Sequence, residues 1–220
     1  MIPLLLIIIA AVSYFLGTLS SGRLLATYVL HKPLHTRGSG YVGYAAMAHA
    51  FGQKWGYALL GADILKSLVA VMIGSLLMMI PGDGFPVVGR LFAGFCLVLG
   101  DAYPFQFKFR GGKGVLPLMV ALWLADWRVG LLATGVLIVL IALTQYMSLA
   151  SLCACLTGVI AVWIFVSAEQ MKGMCGFLVL FSFLAILWRH RGNILKLLDK
   201  KEPKINWGRR PENRIREDDF

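Results

Sequence analysis

The stretch Phe109-Arg110-Gly111-Gly112-Lys113-Gly114 lies between two long apolar segments, and the rest of the chain is organised around it. Its glycines permit backbone conformations with positive φ and a close approach to a ligand. Because residues from Val115 onward have the composition of an apolar helix, the first amides of that helix would lie beside the Lys113 ammonium. The stretch, called the glycine loop below, therefore predicts a phosphate-binding site. The spacing of a nucleotide-binding Walker loop is absent. The alternative is a glycine-rich turn whose positive charges only set the membrane topology.

The composition is that of an integral membrane protein. Of the 220 residues, 59% are hydrophobic and only 15% are charged, whereas about 25% are charged in a typical soluble domain. Apolar runs predict seven helical spans, at about residues 2–20, 55–80, 87–104, 114–125, 128–146, 148–167 and 173–189. We therefore expect an all-α, polytopic membrane fold. Residues 1–190 would form the transmembrane domain and residues 191–220 a polar cytoplasmic tail. Within this tail, residues 199–220 would be solvated and loosely ordered.

The fourth apolar run is short. It has only about twelve residues, fewer than the roughly 17–25 that a helix needs to cross the hydrocarbon layer. We therefore expect the glycine loop to dip into the membrane, where irregular backbone is tolerated only if it lines a cavity.

The distribution of charge predicts the orientation of the spans. Most of the 21 lysines and arginines fall in the first and third connections and in the segment after the last span. Positively charged connections face the cytoplasm, so the N-terminus would lie outside and the C-terminus inside. No nucleic acid is expected as a partner.

A second polar cluster on the predicted cytoplasmic face contains Gly38-Ser39-Gly40. A serine between glycines is typical of a backbone nest that binds an anion. Arg37, His49 and Lys54 would add positive charge to it. The cluster is therefore a second candidate phosphate site.

A third polar cluster, residues 188–194, ends the last apolar run. His190 and Asn193 are three residues apart, so they would lie on one helical face and offer an imidazole and an amide to the same point. The alternative is that the basic residues here, including Arg191, complement the helix dipole and anchor the helix at the membrane interface.

Two carboxylates fall inside apolar runs. Asp63 and Lys66 are three residues apart and would neutralise each other on one helical face. Asp101 precedes the glycine loop closely. It would either serve function or cap a helix end, and both interpretations stay open.

With these clusters in place, the chain resembles the bacterial membrane glycerol-3-phosphate acyltransferases that use an acyl phosphate as donor. The resemblance covers nearly the whole chain. The segments that carry it are residues 14–18 with Ser21-Gly22, Gly38-Ser39-Gly40 with Gly43, residues 107–115, residues 146–151, and residues 189–194 followed by Glu202-Pro203-Lys204.

The resemblance implies a multi-pass enzyme of the bacterial inner membrane, with its motifs on the cytoplasmic side. It implies acyl transfer to glycerol 3-phosphate, which yields lysophosphatidic acid for phospholipid synthesis. Neither a metal nor a cofactor is expected. Catalytic roles are implied for Ser39, Lys113, His190 and Asn193. The implied substrate-binding residues are Gly38, Ser39, Gly40, His49, Arg110, Gly111, Gly112, Lys113, Gly114, Arg191 and Asn193.

The first motif differs from the family pattern. Tyr41 replaces an asparagine, Ala45 and Ala46 replace a threonine and an asparagine, and His49 replaces an arginine. Asp101 stands where the family usually has a histidine. These changes remove hydrogen-bond donors and a permanent cation. The alternative function is therefore a relative that acylates another acceptor, or a non-catalytic membrane scaffold or phosphoryl-ligand binding subunit.

Overall fold

The computed structural model describes residues 1–31, 43–82, 84–167, 171–202 and 204, with the backbone alone at positions 45, 46 and 49. Within these residues the fold is helical and contains no strand, which confirms the predicted class. The helices are α1 (Ile2–Thr18), α2 (Ser21–Leu24, continued by a π-helical turn Leu25–Val29), α3 (Tyr44–Phe51), α4 (Gln53–Leu77), α5 (Pro86–Ala102), α6 (Val115–Ala125), α7 (Trp127–Thr144), α8 (Met147–Phe165), α9 (Lys172–Arg189) and α10 (Arg191–Leu198).

Each of the predicted apolar runs coincides with one of these helices. Among the described helices, five (α4, α5, α7, α8 and α9) are long and apolar enough to cross a membrane. The segment α1–α2, bent by 51° at its break, is a sixth if it is counted as one span. Helix α6 has 11 residues and measures only about 16 Å, roughly half of the hydrocarbon thickness. The fourth helix is therefore short, as predicted.

Helix α5 is the centre of the bundle, where it packs against α1, α4, α6 and α9. Within the apolar part of each helix, 67% of α5 is buried but only 17% of α7. Two glycine pairs permit this packing: Gly100 meets Gly17 of α1, and Gly89 meets Gly74 of α4. A Cβ atom on any of these glycines would run into the backbone of the other helix. Small residues thus let the backbones approach closely, as is common between membrane helices.

The largest apolar core lies between α5, α6, α8 and α9 and includes Val98, Leu118, Leu122 and Ile186. Side chains of Val98 and Ile186 also approach Gly114, the last residue of the glycine loop. The core therefore brings the start of α6 and the end of α9 to the same end of the bundle.

A buried ion pair holds the break between α1 and α2. The Lys66 ammonium lies 2.7 Å from the Asp63 carboxylate, which confirms that these two residues neutralise each other. The hydroxyl of Ser21 donates to Asp63 at 2.6 Å, and Lys66 donates to the carbonyl of Leu19 at 2.8 Å. Helix α4 thereby fixes the chain at the point where the first helix breaks.

The segment after α9 is more ordered than the sequence predicts. Helix α10 packs against α8 and α9. Beyond it, the amides of Lys201 and Glu202 donate to the carbonyl of Lys196 and turn the chain back. Glu202 is consequently buried, with 8% of its surface exposed. Residues 199–201 are nevertheless exposed, as expected of a solvated segment, so the departure from the prediction is the ordered turn that buries Glu202. Residues 205–220 lie outside the described residues.

Candidate active site

The glycine loop is folded against the C-terminal end of α5. The amide of Gly111 donates to the carbonyl of Ala102 at 3.2 Å, and the amide of Gly112 donates to the carbonyl of Asp101 at 2.8 Å. A Cβ atom at Gly111 would run into the Asp101 carbonyl and the Pro104 ring. The amides of Gly111 and Gly112 are therefore bonded within the fold and do not point toward a ligand.

Gly114 joins the glycine loop to α6. Its φ of 76° lies in the left-handed region, which favours glycine. Its amide donates to the carboxylate of Asp101 at 2.9 Å, so this carboxylate has a structural contact. The first helical hydrogen bond runs from the Leu118 amide to the Gly114 carbonyl. The amides of Val115 and Leu116 precede it and therefore have no acceptor within the helix. A phosphate at this helix end would meet those amides and the Lys113 side chain.

Arg189, the last residue of α9, connects that helix to the glycine loop. Its Nε donates to the carbonyl of Gly112 at 3.0 Å, and its Nη2 donates to the carbonyl of Gly111. The centre of its guanidinium group lies 5.6 Å from the centre of the Tyr103 ring. The residue before Lys113 is thus tied to the residue before His190.

His190 is the junction between α9 and α10 and has only 1% of its surface exposed. Its Nδ1 lies 2.8 Å from the carbonyl of Ile186. Because a carbonyl only accepts, Nδ1 carries the proton, and Nε2 of the neutral ring has a free lone pair. Burial lowers the pKa of His190, and the charges of Lys113 and Arg189 lower it further, while the Ile186 carbonyl and Glu202 oppose them. The ring is therefore neutral at pH 7.

Lys113 is exposed, yet enough protein surrounds it to alter its titration. Desolvation lowers the pKa of Lys113; the negative charge of Glu202 opposes this, and the positive charges of Arg189 and Lys196 reinforce it. His190 also feels the charge of Lys113. The structure thus brings together two predicted catalytic residues, although four helices separate Lys113 from His190 in the sequence.

Asn193 and Glu202 complete this end of the site. The Asn193 amide group donates a long hydrogen bond of 3.5 Å to Oε1 of Glu202. The other carboxylate oxygen, Oε2, is buried and has no hydrogen-bond partner within the described part of the chain. The Glu202 carboxylate thereby contacts the side chain of Asn193. The backbone amide of Asn193 donates to the carbonyl of His190 at 2.8 Å, which places Asn193 one helical turn beyond His190.

The remaining predicted site residues are placed differently. Arg110 is exposed, and its amide donates to the carbonyl of Phe107. The guanidinium group of Arg191 lies over the exposed Trp188 ring at 4.9 Å, an arrangement typical of interface anchoring. Gly38, Ser39, Gly40 and Tyr41 lie outside the described residues, as does the side chain of His49, whose backbone belongs to α3.

Comparison with known proteins identifies the family. Residues 7–200 match the family described as glycerol-3-phosphate acyltransferase. The chain belongs to this family. The glycerol-3-phosphate acyltransferase of Clostridioides difficile is 32% identical over 200 residues, which cover 90% of this chain and 95% of that protein. The corresponding protein of Thermoanaerobacter pseudethanolicus is 31% identical over 199 residues, with the same coverage of both chains.

A solved structure of the glycerol-3-phosphate acyltransferase family has the same fold. The crystal structure of PlsY (YgiH), an integral membrane glycerol 3-phosphate acyltransferase, in its glycerol 3-phosphate form superposes with a TM-score of 0.75 at 26% identity and covers 91% of this chain and 96% of that one. Its lysophosphatidic acid form gives the same TM-score and identity. The family expected from the motifs is thereby confirmed.

Two residues of the site were not singled out in the sequence. Arg189 carried only the interpretation of a helix-end anchor, because its contacts with Gly111 and Gly112 are long-range and have no local signal. Glu202 was noted only as part of a family motif, since an acidic residue in a polar segment is usually solvated. The one available signal was its place before Pro203, shortly after an apolar helix.

Proposed function

We propose that this chain transfers an acyl group from an acyl phosphate to the 1-hydroxyl of glycerol 3-phosphate and releases lysophosphatidic acid and phosphate for phospholipid synthesis. The observation that carries the proposal is that Arg189 bonds to the Gly111 and Gly112 carbonyls, which brings the loop with Lys113 to the end of α9 where His190 lies. The chain that has this arrangement is a member of the glycerol-3-phosphate acyltransferase family.

The proposed setting is the bacterial inner membrane, crossed seven times, with the N-terminus outside and residues 191–220 in the cytoplasm. The short helix α6 supports this arrangement, because a helix of 11 residues is too short to cross the hydrocarbon layer and would leave the glycine loop below the level of the headgroups. The acyl chain of the donor would then lie in the hydrocarbon layer beside the helices, while the phosphate of the donor contacts the glycine loop.

The reaction needs no covalent intermediate on the protein. The acceptor hydroxyl oxygen bonds to the acyl carbon, the bond between that carbon and the phosphate oxygen breaks, and the hydroxyl proton passes to the departing phosphate. The ammonium of Lys113 holds the donor phosphate and stabilises the charge that develops on it. The unprotonated Nε2 of His190 accepts a hydrogen bond from the hydroxyl and, with the amide of Asn193, orients the acceptor.

Further contacts with the two phosphate groups are proposed from the family motifs. Gly38, Ser39, Gly40 and His49 would bind the acceptor side, and Arg110 and Arg191 would attract both anions. In the glycine loop, Gly111, Gly112 and Gly114 would contribute mainly by allowing the backbone to fold closely against α5, since their amides are engaged there.

The test is an assay of the purified protein with palmitoyl phosphate and glycerol 3-phosphate. We expect lysophosphatidic acid and phosphate to form in equal amounts. Phosphate release without an acylated product would reveal hydrolysis, and no reaction of either kind in the folded, detergent-solubilised protein would overturn the proposal.

A second candidate is transfer to another phosphate-bearing acceptor, or binding without catalysis. The observation in its favour is the altered first motif, with Tyr41, Ala45, Ala46 and His49 in place of donors and a permanent cation. The same assay with a panel of phosphorylated alcohols distinguishes these outcomes, because an acylated product from one of them alone identifies a changed acceptor.

A further inference from the structure

Arg189 occupies a special position between the two halves of the site. Its guanidinium group donates to the carbonyls of the two residues that immediately precede Lys113. The residue after Arg189 is His190. One side chain therefore links the backbone just before Lys113 to the backbone just before His190. A planar guanidinium with a fixed fork of donors is suited to hold two oxygens at once.

Arg90 shows what a purely structural arginine does in this bundle. Its Nε donates to the hydroxyl of Ser75 at 2.9 Å, and its Nη1 donates to the carbonyl of Leu124 at 2.7 Å, at the other end of α6. Like Arg189, it is half-buried and satisfies carbonyls where the backbone leaves regular structure. It differs in its distance from the predicted catalytic residues.

No carboxylate of the described residues forms an ion pair with Arg189. The ion pairs within the described part of the chain join Asp63 to Lys66, Asp126 to Arg128, and Asp199 to Lys201. The groups that contact the Arg189 guanidinium are instead the carbonyls of Gly111 and Gly112 and the face of the Tyr103 ring. The positive field of Arg189 therefore reaches the neighbouring titratable groups, Lys113 and His190.

We propose that Arg189 is a positioning residue for acyl transfer, which fixes the glycine loop to the end of α9 so that Lys113 and His190 meet the same pair of substrates. This inference rests on the proposed function. It also assigns a role to the hydrogen bonds that the carbonyls of Gly111 and Gly112 accept: tied to Arg189, these carbonyls are kept from facing an incoming phosphate, which they would repel.

The test compares Arg189→Lys and Arg189→Gln with the matched control Arg90→Gln. We expect kcat/KM for palmitoyl phosphate to fall about tenfold or more in both Arg189 variants, since a lysine keeps the charge but cannot hold two carbonyls in the same geometry. Arg90→Gln should lower the thermal unfolding midpoint yet leave kcat and KM of the folded fraction at the wild-type values.

The pH profile gives a signature that a merely structural role would not produce. Lys113 is faced by Glu202, Lys196 and Arg189, and His190 by Lys113, Glu202 and Arg189. Removing the positive charge of Arg189 raises the pKa of both groups. Both limbs of the rate profile should therefore move to higher pH in Arg189→Gln, and should stay in place in Arg189→Lys and in Arg90→Gln.

The inference is overturned if both Arg189 variants lose only stability and keep the wild-type kcat, KM and pH limbs. A second readout separates it from the proposed function: protection by inorganic phosphate against thermal unfolding. We expect phosphate to raise the midpoint of the wild type but not of Arg189→Gln, whether or not acyl transfer is detected. Equal protection of the two proteins would also overturn the inference.

Discussion

Lys66 and Lys113 show two different uses of an ammonium group in one apolar bundle. The Lys66 ammonium lies 2.7 Å from the Asp63 carboxylate and donates to the Leu19 carbonyl, so its charge is neutralised within the fold. Lys113 is exposed and takes part in none of the ion pairs of the described residues. The first arrangement stabilises a break between helices, whereas the second leaves a positive charge available to a ligand.

The largest expected effect on this comparison is that of Lys113→Ala. Transfer should fall by about 10²–10³-fold, as when one donor to a developing oxyanion is removed. The thermal unfolding midpoint should hardly change, because an exposed lysine in a loop contributes little to stability. Near-normal transfer rates, or a variant that no longer folds, would contradict the role given to Lys113.

Lys66→Ala should show the opposite pattern. It leaves Asp63 as a buried charge without its ion-pair partner, which costs about 3–5 kcal/mol of unfolding free energy. The double variant Asp63→Ala/Lys66→Ala should recover part of this loss, since no buried charge then remains. Denaturant titration in detergent measures both.

The matched control for Lys66 is Lys201→Ala, which breaks the exposed pair with Asp199 at 3.5 Å. An exposed pair of this kind contributes little to stability. A loss as large as that of Lys66→Ala would show that burial is not what distinguishes the two pairs.

The smallest expected effect is on the pH dependence. Desolvation lowers the pKa of Lys113, and only the ammonium form holds a phosphate. The wild-type rate should therefore fall as pH rises through this lowered pKa, at a lower pH than for an ordinary lysine. Lys113→Arg stays charged over the same range, so its rate should not show this fall. Parallel profiles would mean that another group controls the basic limb.

The sequence predicts the membrane helices well because each is a long apolar run with a polar or glycine-rich boundary. It fails at the short helices α3 and α10, which are too short and too mixed in composition to give a clear signal. The burial of Glu202 was also not predictable, since it depends on a turn that forms only when the Lys196 carbonyl accepts two amides.

For the site, residue type and local spacing were informative about Lys113, His190 and Asn193, because their chemistry suits phosphate and hydroxyl groups. The internal use of the Gly111 and Gly112 amides could not be foreseen, since their partners Ala102 and Asp101 are distinguished by backbone position and not by side chain. Asp101 was left open between function and capping, and its contact with the Gly114 amide is of the structural kind.

The position of Glu202 near the end of the described chain has a consequence for when the site is completed during synthesis. Lys113 leaves the ribosome before α7, α8, α9 and α10, and Arg189 and Glu202 follow only after most of these helices. During synthesis, the glycine loop is therefore present before Arg189, which fixes it, and before Glu202, whose charge acts on Lys113. A nascent chain consequently presents no finished site to a reactive acyl phosphate until its last described helix has been delivered to the membrane.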